Sequence, residues 1–447
     1  MNDVPQPKPS DAIVPVWLRG KWLTGSLFEF LRTPLSFYER AAACGDVVFG
    51  RLAHIPVCVL SHPRFVERVL TRETEVFEPS FIIRKSLQCL LGEGLLIAGR
   101  ASSARQRPLV IRALHAGFAE LWAKAVVEEA GRFAASWRGG ELRNFYPTML
   151  RMVADVLRRV TFGEGPEAEK LGEMVEAGMR RAEDFPPVPD FIPTPRNLGQ
   201  RTAIHRMDEE LAGAICVERA NPSAQATLLS LLVKVHGEGG MQLSDRDVRD
   251  QITMIHAAVL QNMAAVLTWT FTLLSENDQS YEEIRSEVTE VMENRVPTIG
   301  DASRLTRCAN AVKEALRLYP PVWQIFRQAN RDTELDGYKI RRGTQMMISE
   351  WVLQRDVRFF PEPQKFQPLR WENPKPEWEF AFFPFGAGQR ACLGRELCFL
   401  ASALILGVFA QRFRLRRVGA DKIGVDPAFA LRPSKPVMMK AESWASA

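Results

Sequence analysis

One cysteine of the chain lies in a loop whose composition suits a metal-bound thiolate. Cys392 has Gly386, Gly388 and Gly394 around it, and Arg390 stands two residues before it. A sulfur that binds iron must be deprotonated and oriented, and a nearby cation favours the thiolate. Glycines let backbone N–H groups approach the sulfur, where their hydrogen bonds tune the electron density that it donates. The loop therefore predicts Cys392 as an iron ligand.

The run after this loop predicts a helix that favours the same anion. Residues 395–412 are largely apolar and suit a buried helix. Cys392 then lies just before a helix N-terminus. The helix dipole favours a negative charge at that end.

The spacing of five residues here resembles the FxxGxRxCxG signature of the cytochrome P450 family, with Cys392 as its cysteine. The resemblance implies that Cys392 is the fifth ligand of a haem iron, and that the cofactor is haem b, iron protoporphyrin IX. It implies a fold that is mainly α with a small β region, a single large domain with a long central helix over the haem. The cofactor-binding residues implied in this loop are Phe385, Gly386, Gly388, Arg390 and Gly394.

A second motif, far upstream, resembles the ExxR helix of the same family. Glu314 and Arg317 stand on one helix face, where they can form an ion pair, and a Pro-Pro pair ends the run. Residues 360–371 resemble the meander of the family, whose arginine, here Arg370, closes a buried triad. Removing one member of such a triad costs several kcal/mol. We therefore predict that these three residues latch the fold.

Length and charge indicate one large enzyme domain. The chain has 447 residues, of which 46% are hydrophobic and 25% charged, so it can bury a sizeable core. Length alone suggests two or three domains, but the resemblance runs from about residue 34 to about residue 436. We predict a polar, proline-containing lead over 1–25 and a catalytic domain over 26–447. A net charge of +5 without a basic run argues against nucleic acid as a partner.

The cysteines and the apolar runs predict a cytoplasmic protein without a membrane anchor. The seven cysteines include no CxxC pair, which argues against a zinc site and a disulfide framework. Residues 1–25 contain no long apolar run and so predict neither a signal peptide nor an anchor. Residues 252–275 hold no charge and are long enough to span a bilayer. His256, Gln261 and Asn262 near their middle favour a buried core helix instead.

The same run carries the residues that the resemblance places over the haem. Aligning Trp269 with a tryptophan common in this helix of the family brings Ala258, Gln261 and Asn262 to the catalytic segment. Family members usually have an acid followed by threonine or serine there. An amide forms hydrogen bonds but cannot relay protons by changing its own charge. Three readings stay open: a relay through water or a substrate hydroxyl, peroxide as the oxidant, or rearrangement of an already oxidised substrate.

Further residues follow from the resemblance. Arg107, in a segment similar to the WxxxR helix but with Ser103 at the aromatic position, and Arg327 are expected to bind haem propionates beside Arg390. The substrate contacts are mainly apolar and predict a lipophilic substrate. These contacts are Ile82, Ile83, Phe185, Val322, Trp323 and Phe429.

Short polar and turn signals predict the elements around these residues. Residues 46–61 alternate around Gly50 and predict a β-hairpin. Residues 332–349 predict a second one, with Asp336-Gly337 as its turn. The Leu-Ser-Asp run at 243–245 predicts an N-cap for the long helix.

The predicted function is a haem-thiolate monooxygenase that oxidises a small hydrophobic substrate of natural-product type with O2. Electron donation by the sulfur favours O–O cleavage. The expected electron donors are a ferredoxin and a ferredoxin reductase or similar carriers, because the sequence contains no flavin or iron–sulfur module. The alternative is a peroxide-dependent or rearranging haem-thiolate enzyme, motivated by Gln261 and Asn262. A haem-binding sensor or carrier without turnover is a third class.

Overall fold

The computed structural model describes residues 15–179 and 194–444, which are mostly helical with short strands. The helices are α1 (Leu27–Arg32), α2 (Pro34–Cys44), α3 (Pro63–Glu67), α4 (Phe81–Leu91), α5 (Arg100–His115), α6 (Phe118–Ser136), α7 (Phe145–Phe162), α8 (Pro166–Met179), α9 (Pro195–Ala220), α10 (Leu228–Lys234), α11 (Asp245–Ser275), α12 (Asp278–Met292), α13 (Thr306–Leu318), α14 (Glu350–Leu353) and α15 (Arg395–Arg412). The strands are β1 (Val16–Trp17), β2 (Val47–Leu52), β3 (Ile55–Leu60), β4 (Phe77–Pro79), β5 (Leu142–Asn144), β6 (Ile325–Ala329), β7 (Thr333–Leu335), β8 (Tyr338–Ile340), β9 (Gln345–Ile348), β10 (Arg414–Arg417), β11 (Val425–Pro427), β12 (Leu431–Pro433) and β13 (Met438–Glu442).

The described residues form two compact units. The first unit contains the residues up to Phe81, Gln324–Pro361 and Glu377–Ala391. Its six-stranded sheet has the order β1-β2-β3-β9-β6-β4, with β1 parallel to β2 and β3 parallel to β9. Buried side chains of this sheet pack with Phe65 of α3 and with Leu70 in a π-helical turn that follows α3. The predicted boundary between a lead over 1–25 and a domain over 26–447 stays a prediction.

The first predicted hairpin is formed by β2 and β3, and Gly50 is not at its turn. Gly50 lies inside β2, and the turn is at Ala53 and His54, where Ala53 has a positive φ of 54°. A glycine inside a strand commonly marks a close approach. A Cβ at Gly50 would lie 3.4 Å from the Cβ of Leu18, an ordinary van der Waals distance, so this glycine marks neither the chain reversal nor a contact that excludes a side chain.

The second predicted hairpin is formed by β7 and β8. Asp336 and Gly337 join these strands with φ angles of 47° and 84°. Two residues of positive φ are what a tight type I′ turn requires, and Asp-Gly is a preferred pair for it. The following strand, β9, pairs with β3 and β6 in the larger sheet.

The second unit contains Ile82–Trp323, Glu362–Pro376 and the residues from Cys392 onward. In it α11 packs against α7, and α15 packs against α6. Its sheets are β10-β13-β5 and the pair β11-β12. The predicted helix over 395–412 has the same bounds as α15.

The long predicted helix is α11, which begins upstream of the uncharged run. Ser244 is its N-cap: the Ser244 hydroxyl accepts the Asp247 N–H at 3.2 Å, and the Asp247 carboxylate accepts the Ser244 N–H at 2.9 Å. This reciprocal pair satisfies two N–H groups at the helix start. α11 is long and apolar enough to cross a membrane, but 72% of its most apolar window is buried within the protein, as in a core helix.

A buried histidine joins α11 to α7. His256 Nε2 lies 3.0 Å from the hydroxyl of Thr161, and the imidazole is almost fully buried. Burial lowers the pKa of His256 from 6.5 to about 4, because a charged imidazole would lose its hydration there. The folded chain therefore holds this histidine neutral.

We expect the free energy of unfolding to fall as the pH drops from 6.5 towards 4. In this window the unfolded chain protonates His256 and the folded chain does not, which costs up to about 3 kcal/mol. His256→Gln removes this contribution, so the variant should lose less stability than the wild type between pH 7 and pH 4.5. Urea denaturation of both proteins at the two pH values measures the difference. Equal losses of unfolding free energy in the two proteins would contradict a neutral, buried His256.

Candidate functional site

The start of α15 positions Cys392. The Gly394 N–H donates a hydrogen bond to Cys392 Sγ, with N and S 3.3 Å apart, and α15 begins at the next residue. The buried Trp122 of α6 donates its indole N–H to the Leu397 carbonyl at 3.1 Å, which holds the first turn of α15. The sulfur thus has a fixed direction and one backbone donor.

The electrostatics of Cys392 differ from the expectation of an activated thiolate. Its side chain keeps accessible surface, yet the protein around it raises the pKa of the thiol by desolvation. The Gly394 N–H and the charge of Arg107 act in the opposite direction and are the smaller effects. The loop alone therefore leaves a neutral thiol at neutral pH. A bound metal cation deprotonates such a thiol outright.

Helix α5 brings Arg107 towards the cysteine. Arg105 binds the Asp247 carboxylate through both terminal nitrogens, at 2.9 and 2.7 Å, and the buried Gln106 is hydrogen-bonded to Gln251. These contacts tie α5 to α11. Partial burial lowers the pKa of the Arg107 guanidinium, whereas a thiolate at Cys392 would raise it. The structure thus places two predicted site residues, Arg107 and Cys392, within electrostatic reach of each other.

The middle of α11 has an accessible stripe although the helix is otherwise mostly buried. Four of the stripe residues are apolar, and they recur at helical spacing along one face. A partly exposed apolar face on a core helix is typical of the wall of a binding site. The stripe consists of Met254, Ile255, Ala258, Val259 and Asn262.

The two predicted catalytic amides present acceptor oxygens. Asn262 Nδ2 donates to the Ala258 carbonyl at 2.8 Å. Because a carbonyl only accepts, this contact fixes the amide orientation and leaves Asn262 Oδ1 on the other side. Within the described residues neither Asn262 Oδ1 nor Gln261 Oε1, both buried, accepts a hydrogen bond. Buried acceptors are normally satisfied, so a donor from water or from a bound molecule is expected at these atoms.

Residues 385–391 of the cysteine loop belong to the first unit, where a glycine allows close packing. Gly388 has a φ of 67°, and a Cβ there would lie 2.2 Å from the Leu70 carbonyl oxygen. No other residue fits this backbone position. Gly386 also has a positive φ, of 65°, while Phe385 and Arg390 are half-buried. Gly386 and Gly388 thus suit the backbone conformation of the loop itself.

Arg327 has a buried acidic neighbour that the sequence did not reveal. Arg327 lies on β6, and surrounding protein lowers its pKa to about 10 although its side chain keeps some accessible surface. Glu350 is fully buried, and its carboxylate oxygens accept no hydrogen bond from the described residues. Burial raises the pKa of Glu350, and the charge of Arg327 partly opposes this. In the sequence Glu350 resembles an ordinary acid at a helix start.

The structure brings the three predicted latch residues together. The Glu314 carboxylate accepts Arg317 Nη2 at 2.8 Å and Arg370 Nε at 2.9 Å. It also accepts the Trp371 indole N–H at 2.9 Å and the Gln367 backbone N–H at 3.0 Å, two contacts that the motif did not predict. Glu314 and Arg317 are fully buried. Each of the three charged groups therefore has a hydrogen-bonded partner of opposite charge, with both arginines sharing the Glu314 carboxylate.

Two of the predicted substrate segments are joined by hydrogen bonds. Trp323 is almost fully buried and donates its indole N–H to the Ala428 carbonyl at 3.1 Å. Little of the indole surface is left for a ligand. Val322, with 38% of its surface exposed, and the partly exposed Phe429 carry the accessible surface of this junction.

The structure describes two of the three remaining predicted substrate residues. Ile82 and Ile83 lie on α4 and are partly exposed. Phe185 lies outside the described residues. Contact of these side chains with a substrate stays a prediction.

Comparison with known proteins decides the family. Residues 15–441 match the family model for Cytochrome P450. The chain belongs to the cytochrome P450 family. Cyclooctat-9-en-7-ol 5-monooxygenase of Streptomyces melanosporofaciens is 30% identical over 89% of this P450 and 88% of its own length. Pentalenene oxygenase of Streptomyces avermitilis is 27% identical over 92% and 91%.

A solved structure confirms the predicted fold. Retinoic acid bound cyanobacterial CYP120A1 matches this P450 with a TM-score of 0.86, over 97% of this chain and 100% of that chain, at 21% sequence identity. The family membership confirms a haem-iron oxidoreductase, a monooxygenase that acts on a hydrophobic substrate with electrons from external partners. The relatives named above are a monooxygenase and an oxygenase, which does not favour the peroxide-dependent or rearranging alternative.

Proposed function

We propose that this P450 binds haem b through Cys392 and inserts oxygen into a small terpenoid. The observation that carries the proposal is the thiol of Cys392 with one N–H donor from Gly394 and one nearby cation, Arg107. Among residues 15–179 and 194–444, no group of three or more His, Cys, Asp or Glu side chains could hold a metal ion. A single thiolate suits an iron whose other ligands belong to a macrocycle.

The residues fit such a cofactor in two further respects. The stripe on α11 is apolar apart from Asn262, as a largely apolar ligand requires. Arg107 supplies a cation for a propionate, and Arg327 and Arg390 stay predicted partners of the same kind. When bound, the haem supplies reductive activation of O2 and transfer of one oxygen atom to the substrate.

The amides of α11 define how protons can reach the site. Neither Gln261 nor Asn262 can take up or release a proton near neutral pH, so each can act only by holding a molecule that does. Asn262 Oδ1 accepts no hydrogen bond from the described residues and can accept one from a bound molecule, while Nδ2 donates to the Ala258 carbonyl. We infer that Asn262 orients a water molecule or a substrate hydroxyl, which carries the proton. This choice among the three readings agrees with a monooxygenase.

Replacing Asn262 tests this role. We expect Asn262→Ala to lower the product formed per NAD(P)H consumed by about tenfold or more, because a positioned proton donor typically contributes at least that much. The remaining electrons should appear as released peroxide. Thr270→Ser is the matched control, since Thr270 is a buried residue of α11 that also bonds to its own i−4 carbonyl. Unchanged coupling in Asn262→Ala would exclude the proposed role.

The substrate class is proposed from the relatives and from the apolar wall. The two Streptomyces relatives are named for cyclooctat-9-en-7-ol and pentalenene, an alkenol and an alkene. We propose a cyclic terpenoid of similar size for this P450, contacted by Val322 and Phe429. A screen of cyclic terpenes, linear fatty acids and small aromatic compounds by the spin-state change of the haem absorption tests the class. Binding of fatty acids alone would contradict it.

We further propose a ferredoxin with its reductase as the electron supply and the cytoplasm as the location. The support is the family's general use of external electron carriers and the seven cysteines, which show no CxxC pair and no regular spacing and so fit a reducing compartment. Turnover with NAD(P)H, a ferredoxin and its reductase is expected. Turnover with peroxides in the absence of reductant, and none with the carriers, would favour the alternative oxidant.

A further inference from the structure

The first unit exposes large apolar side chains near its described N-terminal end. Trp22 is 82% exposed and Leu23 is 73% exposed, although both belong to residue types that are usually buried. Trp17, Phe28 and Leu31 are exposed too. We call these five residues the N-terminal apolar patch. Single exposed apolar residues are ordinary, but a group of this size within fifteen consecutive positions marks an interaction site.

The backbone under the patch is rigid. The loop that carries Trp22 and Leu23 is closed by two hydrogen bonds between Lys21 and Gly25, with N–O distances of 3.0 and 2.8 Å. A second pair of bonds ties it to the β2–β3 hairpin: the Ser26 N–H to Arg51 O at 2.9 Å and the Ala53 N–H to Thr24 O at 2.9 Å.

Two glycines permit this closure. A Cβ at Gly20 would lie 2.6 Å from the Gly25 carbonyl carbon, and a Cβ at Gly25 would lie 2.1 Å from Arg51 O. The loop is therefore built to hold one conformation, and it holds its two largest side chains in solvent. A rigid loop that presents apolar groups loses little conformational entropy when it binds a partner.

The charges near the patch are mostly positive. Arg19, Lys21 and Arg32 are exposed between residues 15 and 33. The one acid in that range, Glu29, is bound by Arg40, with Nε and Oε1 2.8 Å apart. This segment therefore combines exposed tryptophans and aliphatic side chains with cations that form no ion pair with the described residues.

We propose that the N-terminal apolar patch docks this P450 on an anionic lipid surface, with the side chains of Trp22 and Leu23 inserted at the headgroup level. Tryptophan prefers the interface between lipid and water, and basic residues beside an apolar face bind anionic headgroups. The proposal is for an interfacial contact and not for a membrane span.

Lipid suits the patch better than a protein partner does. A narrow loop tip with two apolar side chains matches a fluid apolar layer, whereas a protein would need a complementary pocket. The cations match the negative potential of an anionic leaflet. A lipophilic substrate, as proposed above, partitions into the same layer, but the docking does not depend on that proposal.

Co-sedimentation of the haem-loaded, full-length protein with vesicles tests the docking. We expect binding to vesicles that contain phosphatidylglycerol, weaker binding to pure phosphatidylcholine, and release by salt, since salt screens exposed charges. Trp22→Ala combined with Leu23→Ala should lower the partition coefficient between vesicle and water by roughly tenfold or more, because the substitutions remove the apolar surface that the lipid would bury. Lys21→Gln should lower binding to the anionic vesicles roughly fivefold.

Matched controls make the result specific. Val357→Ala removes an apolar side chain of the same unit that is 70% exposed but lies outside the patch, so it should bind like the wild type. An unchanged ferrous carbonyl spectrum shows that each variant keeps its folded haem site. Wild-type protein that stays in solution with both kinds of vesicle would overturn the proposal. A double variant that still binds the vesicles would also overturn it. The same holds if the double variant loses a concentration-dependent dimer in sedimentation velocity but binds the vesicles like the wild type.

Discussion

Replacing Cys392 with serine is expected to lower product formation by more than about a hundredfold. Loss of a residue that only hydrogen-bonds to a metal ligand usually costs less than this. Serine has a similar size and still accepts the Gly394 N–H that now bonds to the sulfur. The variant should therefore keep its fold and lose the electron donation that a thiolate gives to haem iron. Turnover with an electron-transfer system and the absorption of the ferrous carbonyl form measure the two effects.

Cys398→Ser is the control for this substitution. Cys398 lies six residues further along, in α15, and burial raises the pKa of its thiol to about 12, so it is an inert, neutral side chain. We expect this variant to retain the activity and the absorption of the wild type. A Cys392→Ser protein with wild-type turnover would exclude Cys392 as the ligand.

Replacing Glu314 with glutamine is expected to lower the free energy of unfolding by about 3–5 kcal/mol, the usual cost of breaking a buried ion pair. Glutamine places an NH2 group among donors from Arg317, Arg370 and Trp371. It also leaves the fully buried guanidinium of Arg317 without its counter-charge. Denaturant unfolding of the haem-loaded protein, followed by circular dichroism, measures the change.

Glu283→Gln provides the comparison for this prediction. Glu283 pairs with Arg307 at 3.1 Å on neighbouring helices of the same unit, but both side chains are partly exposed. A pair of this kind contributes at most about 1 kcal/mol. Equal losses for Glu283→Gln and Glu314→Gln would mean that the triad does not act as a buried latch.

Sequence alone identifies those parts of the site whose chemistry is encoded by local spacing. Glu314 and Arg317 are one helical turn apart, and their pairing follows from helix geometry. The glycine at 388 is demanded by the loop that it forms, because its φ is 67° and a Cβ there would lie 2.2 Å from the Leu70 carbonyl oxygen. For the same reason the bounds of α15 and the Asp336-Gly337 turn agree with their predictions.

Long-range contacts set the features that the sequence did not reveal. Glu350 acts on Arg327 across 23 positions of the chain, and nothing local distinguishes it from a solvated acid. The pKa of Cys392 is raised by desolvation from the surrounding protein, which outweighs the Gly394 N–H and the charge of Arg107 although the side chain keeps accessible surface. Gly50 lies inside β2 because this strand pairs with β3 from Val47 to Leu52, and the turn follows at Ala53 and His54.

The central claim is a bond between Cys392 and haem iron, and the absorption of the reduced, carbon monoxide-treated wild-type protein tests it most directly. A thiolate ligand would donate electron density to the iron and shift the Soret band of the ferrous carbonyl form to longer wavelength than a nitrogen ligand would. We predict this red-shifted band in the purified protein. A band at the position of nitrogen-ligated haem, or protein that remains colourless after expression with ample haem precursor, would contradict the assignment.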